Sequence, residues 1–100
     1  MRVLIHIEFP LEPFNTYVRD GSIGAKVQKI LEATKPEAAY FTEKAGKRGA
    51  TIVANLESAS DLPAQAEPWF LTLNAHAEFR IAMTPEDLGK ANLAALGKQW

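Results

Sequence analysis

The order in which strand-like and helix-like segments alternate is the feature that most constrains how this chain folds. In strand-like segments apolar residues recur at every second position, and in helix-like segments they recur every three or four. Along the 100 residues the order is strand, helix, strand, hairpin turn, strand, helix, strand and a short terminal helix. This order predicts one α+β domain over residues 1–100: a ferredoxin-like βαββαβ sandwich, in which helices cover one face of a four-stranded antiparallel sheet.

Four segments have the composition of strands. Arg2 to Phe9 is rich in β-branched and aromatic residues that sort with a period of two. Glu37 to Glu43 and Ala50 to Leu56 form the second and third strands, and a polar, glycine-containing loop over 44–49 joins them as a hairpin. Ala77 to Met83 completes the set. The topology then places the first strand inside the sheet, flanked by the third and fourth.

Two amphipathic helices are predicted between these strands, and a short helix after them. The first has a separate turn near Asn15 to Arg19, a break near Asp20-Gly21, and its main part from Ser22 to about Thr34. Ser58 to Leu62 supplies capping residues for the second, which runs to about Asn74. Thr84-Pro85-Glu86-Asp87 combines a capping threonine, a first-turn proline and acidic residues, the pattern that opens a helix.

The composition is that of a globular domain. Apolar residues make up 47% of the chain and charged residues 23%, and a chain of this length buries roughly 60–65% of its unfolded surface. The net charge is −1 and the eleven basic residues are scattered, whereas nucleic-acid binders concentrate basic residues to displace counterions. Nucleic acid is therefore not expected as a partner.

No apolar run approaches the ~20 residues of a membrane span, so a membrane partner is not expected either. The chain passes from Met1-Arg2 directly into a strand that the fold needs, which argues against a cleaved signal. It has no cysteine, which excludes thiol catalysis, thiolate metal sites and disulfides, and which fits a reducing compartment. We expect a cytoplasmic protein.

The two faces of the predicted sheet differ in character. The face toward the helices is aliphatic; its predicted members are Val3, Ile5, Ile7, Ile52, Ala54, Leu56, Phe79, Ile81 and Met83. The opposite face mixes apolar and charged residues; its predicted members are Leu4, His6, Glu8, Thr51, Val53, Asn55, Glu78, Arg80 and Ala82. Tyr40 joins the second face if the hairpin keeps it in register with Val53.

This mixed face predicts self-association. A fully solvated face would carry Lys, Glu and Thr throughout, so Leu4 and Val53 indicate that it is partly covered. The simplest cover is the same face of a second copy, which gives a two-fold homodimer with sheet packed on sheet. Such packing encloses a cavity lined by mixed residues, suited to a small molecule.

Five segments of the chain resemble a family of small, uncharacterised bacterial proteins. They are Arg19-Asp20-Gly21-Ser22, Lys35-Pro36-Glu37-Ala38-Ala39-Tyr40-Phe41, Gly46-Lys47-Arg48, Ala66-Glu67-Pro68-Trp69-Phe70 and Asn74-Ala75. The resemblance spans nearly the whole chain, and the segment starting at Lys35 is its most specific part. It implies a domain that looks like the dimeric α+β-barrel superfamily, which includes cofactor-free oxygenases, lactone isomerases, dehydratases and proteins without known activity.

Members of the family sometimes carry the label "panthothenate synthetase". True pantothenate synthetases resemble nucleotidyltransferases, are far longer and carry a His-Ile-Gly-His-type nucleotide motif. Here His6-Ile7-Glu8 matches only its first two residues, inside a strand that no phosphate-binding loop follows.

His6 and Glu8 are the candidate catalytic residues. They lie two apart on one strand, so their side chains project from the same face. In the functional interpretation His6 is a general acid or base oriented by Glu8, and Arg80 on the neighbouring strand holds an anionic substrate. In the alternative, which we favour, the three form a cross-strand charge cluster that helps specify the dimer. Tyr40 and Asn55 are further candidate ligand-binding residues.

Asn15 and Arg19 are the remaining ligand-binding candidates. They lie in the broken start of the first helix, near the sheet edge where superfamily pockets open, so Arg19 could meet a carboxylate or phosphate. In the other interpretation Asp20-Gly21-Ser22 caps the main helix and Arg19 pairs with a neighbouring acid. Trp100, beyond Gly97, either docks against a partner subunit or lies in a frayed end.

Two functions remain open. The leading one is a small dimeric protein that binds a small metabolite on the open sheet face, without a cofactor. The second is a cofactor-independent isomerase, lyase or monooxygenase-like enzyme that acts on a small organic acid or lactone, with His6 as proton shuttle. No metal site is predicted, because the two histidines lack acidic ligands at suitable spacing.

Overall fold

The computed structural model describes all residues from Met1 to Trp100, and its four strands form one antiparallel sheet. The strands are β1 (Arg2–Glu8), β2 (Ala38–Lys44), β3 (Lys47–Asn55) and β4 (His76–Ala82). They are ordered β2-β3-β1-β4 across the sheet. As the sequence predicted, β1 lies between β3 and β4, and it is antiparallel to both.

Three helices pack against one face of this sheet, and two more follow it. They are α1 (Phe14–Asp20), α2 (Ile23–Thr34), α3 (Leu62–Leu73, after a 3₁₀ turn over Ala59–Asp61), α4 (Pro85–Lys90) and α5 (Leu93–Gln99). The predicted break after Asp20 is present, because Gly21 has a φ of +81° and the Asp20 carboxylate accepts the Ser22 N–H. The single closing helix that was predicted is wrong: the left-handed Asn92, with φ +52°, divides it in two.

The core lies between the sheet and the helices. Ile5, Leu73 and Trp69 are almost wholly buried, with at most 1% of their surface exposed. The Trp69 ring lies 5.9 Å from that of Phe9, and Phe9 also packs on Phe14 at 5.3 Å. Aromatic pairs at these separations stabilise a core beyond the area that they bury. Trp69 thus joins α3 to the end of β1.

The predicted helix-facing set is confirmed for β1 and β3 but not for β4. Val3 and Ile5 are buried, with Ala54 and Ile52 opposite them on β3. On the other side Ile81 and Phe79 occupy the equivalent positions of β4, yet they are 72% and 39% exposed. The reason is that β4 is an edge strand, and the helices do not extend over it. The predicted burial of Phe79, Ile81 and Met83 is therefore wrong.

The central hairpin is tighter than predicted. Its turn consists of Ala45 and Gly46 alone, with φ of +51° and +80°, and two-residue turns of type I′ need positive φ at both positions. The predicted loop over 44–49 is thus wrong, and both strands continue up to the turn. Tyr40 therefore faces Thr51 rather than Val53, whose partner on β2 is Ala38. A shift of two residues preserves the side, so Tyr40 still shares a face with His6.

Candidate functional site

The open face is the side of the sheet turned away from α2 and α3. Four rows of paired residues run across β1, β3 and β4. They are Leu4 with Val53 and Arg80, His6 with Thr51 and Glu78, Glu8 with Gly49 and His76, and Arg2 with Asn55 and Ala82. Tyr40 extends the second row on β2. The period of two seen in the sequence therefore does bring His6, Glu8, Arg80 and Tyr40 to one face.

A depression of about 440 Å³ lies on this face, and we call it the sheet pocket. Its polar lining comes from all four strands: His6, Thr42, Glu43, Lys44, Thr51, Glu78 and Arg80. Its volume falls within the range of about 300–1,000 Å³ that is typical of small-molecule sites. The groups around it include two cations, two carboxylates, an imidazole and hydroxyls, so it can recognise a small polar ligand.

Two cations converge on one carboxylate at this pocket. Glu78 Oε1 lies 3.2 Å from Lys44 Nζ, and Glu78 Oε2 lies 2.9 Å from Arg80 Nη2. The hydrogen bonds from Arg80 and then Lys44 hold the pKa of Glu78 below its usual range. Because Lys44 lies on β2 and Glu78 on β4, their ion pair spans the two inner strands. The arrangement concentrates positive charge beside His6.

Gly49 has no side chain, and this leaves room in the part of the sheet pocket next to Lys44. It lies on β3 between Thr42 and Glu8, and it lines the pocket. A Cβ added there would lie 3.0 Å from the Ile7 carbonyl oxygen and 3.8 Å from the Cβ of Lys44. The first distance is tighter than most carbon contacts, so a side chain here would push on the backbone of β1, and glycine fits without this strain.

His6 is half-buried on the inner strand, where its Nδ1 forms a hydrogen bond of 3.2 Å with Thr51 Oγ1. Its other ring nitrogen has no hydrogen-bond partner in the protein. Glu8, the predicted orienting group, is engaged elsewhere: its Oε1 lies 3.0 Å from Lys47 Nζ. Thr51 is therefore the residue that orients the imidazole, and the second ring nitrogen remains available to a ligand.

The Glu8–Lys47 pair gives a prediction for pH dependence. The hydrogen bond from Lys47 lowers the pKa of Glu8, so ionised Glu8 stabilises the fold above the unfolded-state pKa, and this stabilisation is lost as pH falls through the folded-state pKa. We expect Lys47→Gln to raise the pKa of Glu8. The part of the pH dependence of folding stability that Glu8 contributes should then disappear. An NMR titration of the Glu8 carboxyl carbon measures it, with Lys29→Gln as control. An unchanged Glu8 pKa in Lys47→Gln would contradict the pairing.

Of the predicted ligand-binding residues, only Arg80 lines the sheet pocket. Tyr40 lies on the same face outside this lining, and Asn15, Arg19 and Asn55 lie outside it as well. Asn15 Oδ1 accepts a hydrogen bond of 2.7 Å from Arg48. Arg19 is largely exposed and lies 3.7 Å from Glu12, which matches the interpretation that it pairs with a neighbouring acid. Asn55 Oδ1 accepts from the Met1 nitrogen at the far end of β3. These three side chains are engaged in local contacts of the fold.

Two residues of the pocket, Lys44 and Thr42, were not predicted as ligand-binding residues; the sequence places Lys44 in a basic cluster with Lys47 and Arg48 at the tip of the hairpin. Both fall on the open face because β2 keeps its alternation from Tyr40 through to the turn. The signal that could have found Lys44 was the Ala45-Gly46 pair, which suits a two-residue turn and makes Lys44 part of the strand.

Comparison with models of known protein families and with curated proteins gives no match to this chain. None of the helices has both the length and the apolar character needed to cross a bilayer. No group of three or more His, Asp or Glu side chains is arranged to hold a metal ion.

Proposed function

We propose that the protein is a cytoplasmic, homodimeric domain of the dimeric α+β-barrel type that binds a small anionic metabolite in the sheet pocket. The observation that carries the proposal is the convergence of Lys44 and Arg80 on Glu78 beside His6. An incoming carboxylate or phosphate can take the place of the Glu78 carboxylate between the two cations. Charge-assisted hydrogen bonds of this kind are about twice as strong as neutral ones.

The ferredoxin-like classification is part of this proposal, and the strand order supports it. Two strand-helix-strand units with β1 and β3 as inner strands give the order β2-β3-β1-β4. Helices on one face leave the other free, which is the condition for two sheets to pack together.

The apolar content of the open face supports the homodimer. Leu4 and Val53 are half-buried there without a covering layer, and Tyr40 is 65% exposed. A second copy turned by two-fold symmetry would bury these side chains against its own. The second copy would also cover the sheet pocket. Removing the pocket cations from water strengthens their ion pairing with a bound anion.

The test is a thermal-shift screen with small mono- and dicarboxylates and inorganic phosphate. A ligand at 100 times its dissociation constant adds about 2.7 kcal/mol to folding stability, so we expect a rise of several degrees in the melting temperature of the wild type. Lys44→Gln and Arg80→Gln should lose this rise. Arg19→Gln, which removes a cation outside the pocket, should keep it.

Two outcomes would contradict anion binding in the pocket: no anion shifts the melting temperature of the wild type at millimolar concentration, or the shift survives in Lys44→Gln and Arg80→Gln.

The same screen separates binding from catalysis. His6→Ala removes the one pocket side chain suited to exchange a proton near neutral pH. Turnover of a bound carboxylate or lactone that disappears in His6→Ala would assign the enzymatic function instead.

A further inference from the structure

The segment from Thr84 to Trp100, which we call the C-terminal arm, stands away from the domain. Every residue from Pro85 onward is exposed. The molecule measures 60 Å in its longest direction against 29 Å and 18 Å in the others, and its radius of gyration is 16.8 Å. A compact domain of this length has a radius of gyration of about 13 Å. The arm accounts for the difference.

The arm is nevertheless built like a segment that packs against a surface. Leu93, Leu96 and Trp100 follow one another at spacings of three and four residues, so they lie on one side of α5. They are 58%, 45% and 96% exposed, and Leu88 on α4 is 45% exposed. Helices of six or seven residues are not stable alone in water. The arm therefore needs an apolar surface to cover its leucines.

Such a surface lies beside β4 on the helix side of the sheet, and we call it the β4 groove. It has a volume of about 220 Å³, and seven of its eight lining residues are apolar. Phe79, Ile81 and Met1 form its exposed part, and Val3, Leu56 and Leu62 form its base. It exists because the helix layer stops short of the edge strand. An isolated domain leaves this apolar strip open to water.

The arm is directed away from the groove of its own chain. Only Met83 separates the end of β4 from Thr84, whose extended backbone caps α4. The Thr84 hydroxyl accepts the Asp87 N–H at 3.1 Å, and the Asp87 carboxylate accepts the Thr84 N–H at 3.0 Å. This capping box fixes the start of α4. Every residue from Pro85 onward is exposed, and so are Phe79 and Ile81 in the groove, so the arm does not cover the groove of its own chain.

We infer that the C-terminal arm of one chain lies in the β4 groove of a second copy, and that the two chains exchange arms reciprocally. Each chain offers one apolar arm and one apolar groove, so a two-fold exchange covers all four surfaces and closes the assembly. The leucines of α5 then pack against Ile81 and Phe79. The exchange uses the side of the sheet opposite to the open face, so it does not depend on the proposed function.

Cysteine cross-linking tests this exchange cleanly, because the chain has no cysteine of its own. Full-length Ile81→Cys with one affinity tag is refolded together with Leu88→Cys, Leu93→Cys or Leu96→Cys carrying another, and then oxidised. We expect at least one arm position to form a disulfide-linked heterodimer with Ile81→Cys. Val53→Cys on the open face is the matched control, and it should not cross-link to the arm.

Three results would overturn the exchange. One is a disulfide that forms only when both cysteines are in the same chain, which would show a fold-back. The others are cross-linking to Val53→Cys in place of Ile81→Cys, and no cross-linking at any arm position. Repeating the experiment with Val53→Arg in both chains separates this inference from the proposed dimer. In that background the cross-links between Ile81→Cys and the arm should persist, because they do not involve the open face.

Discussion

Trp69→Ala is expected to lower the free energy of unfolding by about 3–5 kcal/mol, as large aromatic-to-alanine changes do in packed cores. Trp69 is 1% exposed, and its ring contacts those of Phe9 and Phe41. Its removal leaves a cavity between α3 and the sheet that rigid neighbours cannot fill. Urea unfolding followed by circular dichroism measures the change.

Leu71→Ala is the matched control for this experiment. Leu71 lies two residues further along α3 and is 83% exposed, so its truncation should change the free energy of unfolding by no more than about 0.5 kcal/mol. Equal losses in the two variants would show that α3 does not pack through Trp69, and the described core would be wrong.

Val53→Arg is expected to weaken self-association by ~100-fold or more, because a guanidinium would be buried in an apolar contact without a partner. Val53 lies on the open face between Leu4 and Ala38, at the centre of the surface that we propose to be shared by two chains. Light scattering over a concentration series measures the dissociation as a fall in molar mass, to the monomer or, where the arms are exchanged, to the arm-linked dimer. The circular dichroism spectrum should stay that of the wild type.

Leu71→Arg places the same charge on the outer side of α3, so it should leave the molar mass unchanged. If Val53→Arg leaves the mass unchanged as well, the open face is not the dimer contact. If Leu71→Arg dissociates the protein to the same extent, the association runs through the helices instead. Only a loss confined to Val53→Arg agrees with the proposal.

The sequence predicted those parts of the fold in which a pattern of a few neighbouring residues is enough to determine the structure. Alternation in β1 placed Val3 and Ile5 in the core, because an inner strand with one covered face must sort its residues with a period of two. The sequence Thr84 to Asp87 predicted a helix start capped by Thr84, and this cap is present as part of a capping box. Both signals lie within a few neighbouring residues, so no knowledge of the rest of the chain is needed.

Burial on the edge strand could not be predicted in the same way. Phe79 and Ile81 alternate as well as Val3 and Ile5 do, and the register places them on the same side. Their exposure depends on how far α2 and α3 extend across the sheet, which is a property of tertiary packing. Alternation therefore predicts a side of the sheet, and it does not predict what covers that side.

The candidate site was predicted in part for a similar reason. His6 and Arg80 line the sheet pocket because their strand positions fix their side. Glu8 has the correct side too, but Lys47 from the hairpin engages its carboxylate. The sequence predicts Lys44 in a polar loop and not in the pocket, whereas the turn has two residues and Lys44 belongs to β2. A turn that is misjudged by a few residues thus removes a side chain from the predicted site.

The central claim is that the open face of one chain packs against the open face of another. Nuclear Overhauser contacts between isotope-labelled and unlabelled chains in a mixed sample test it most directly, because only protons of different chains contribute. We expect such contacts from the methyl groups of Leu4 and Val53 and from the Tyr40 ring, and none from Val27 in the helix layer. Their absence at Leu4, Val53 and Tyr40, at a concentration where the protein is a dimer, would contradict it.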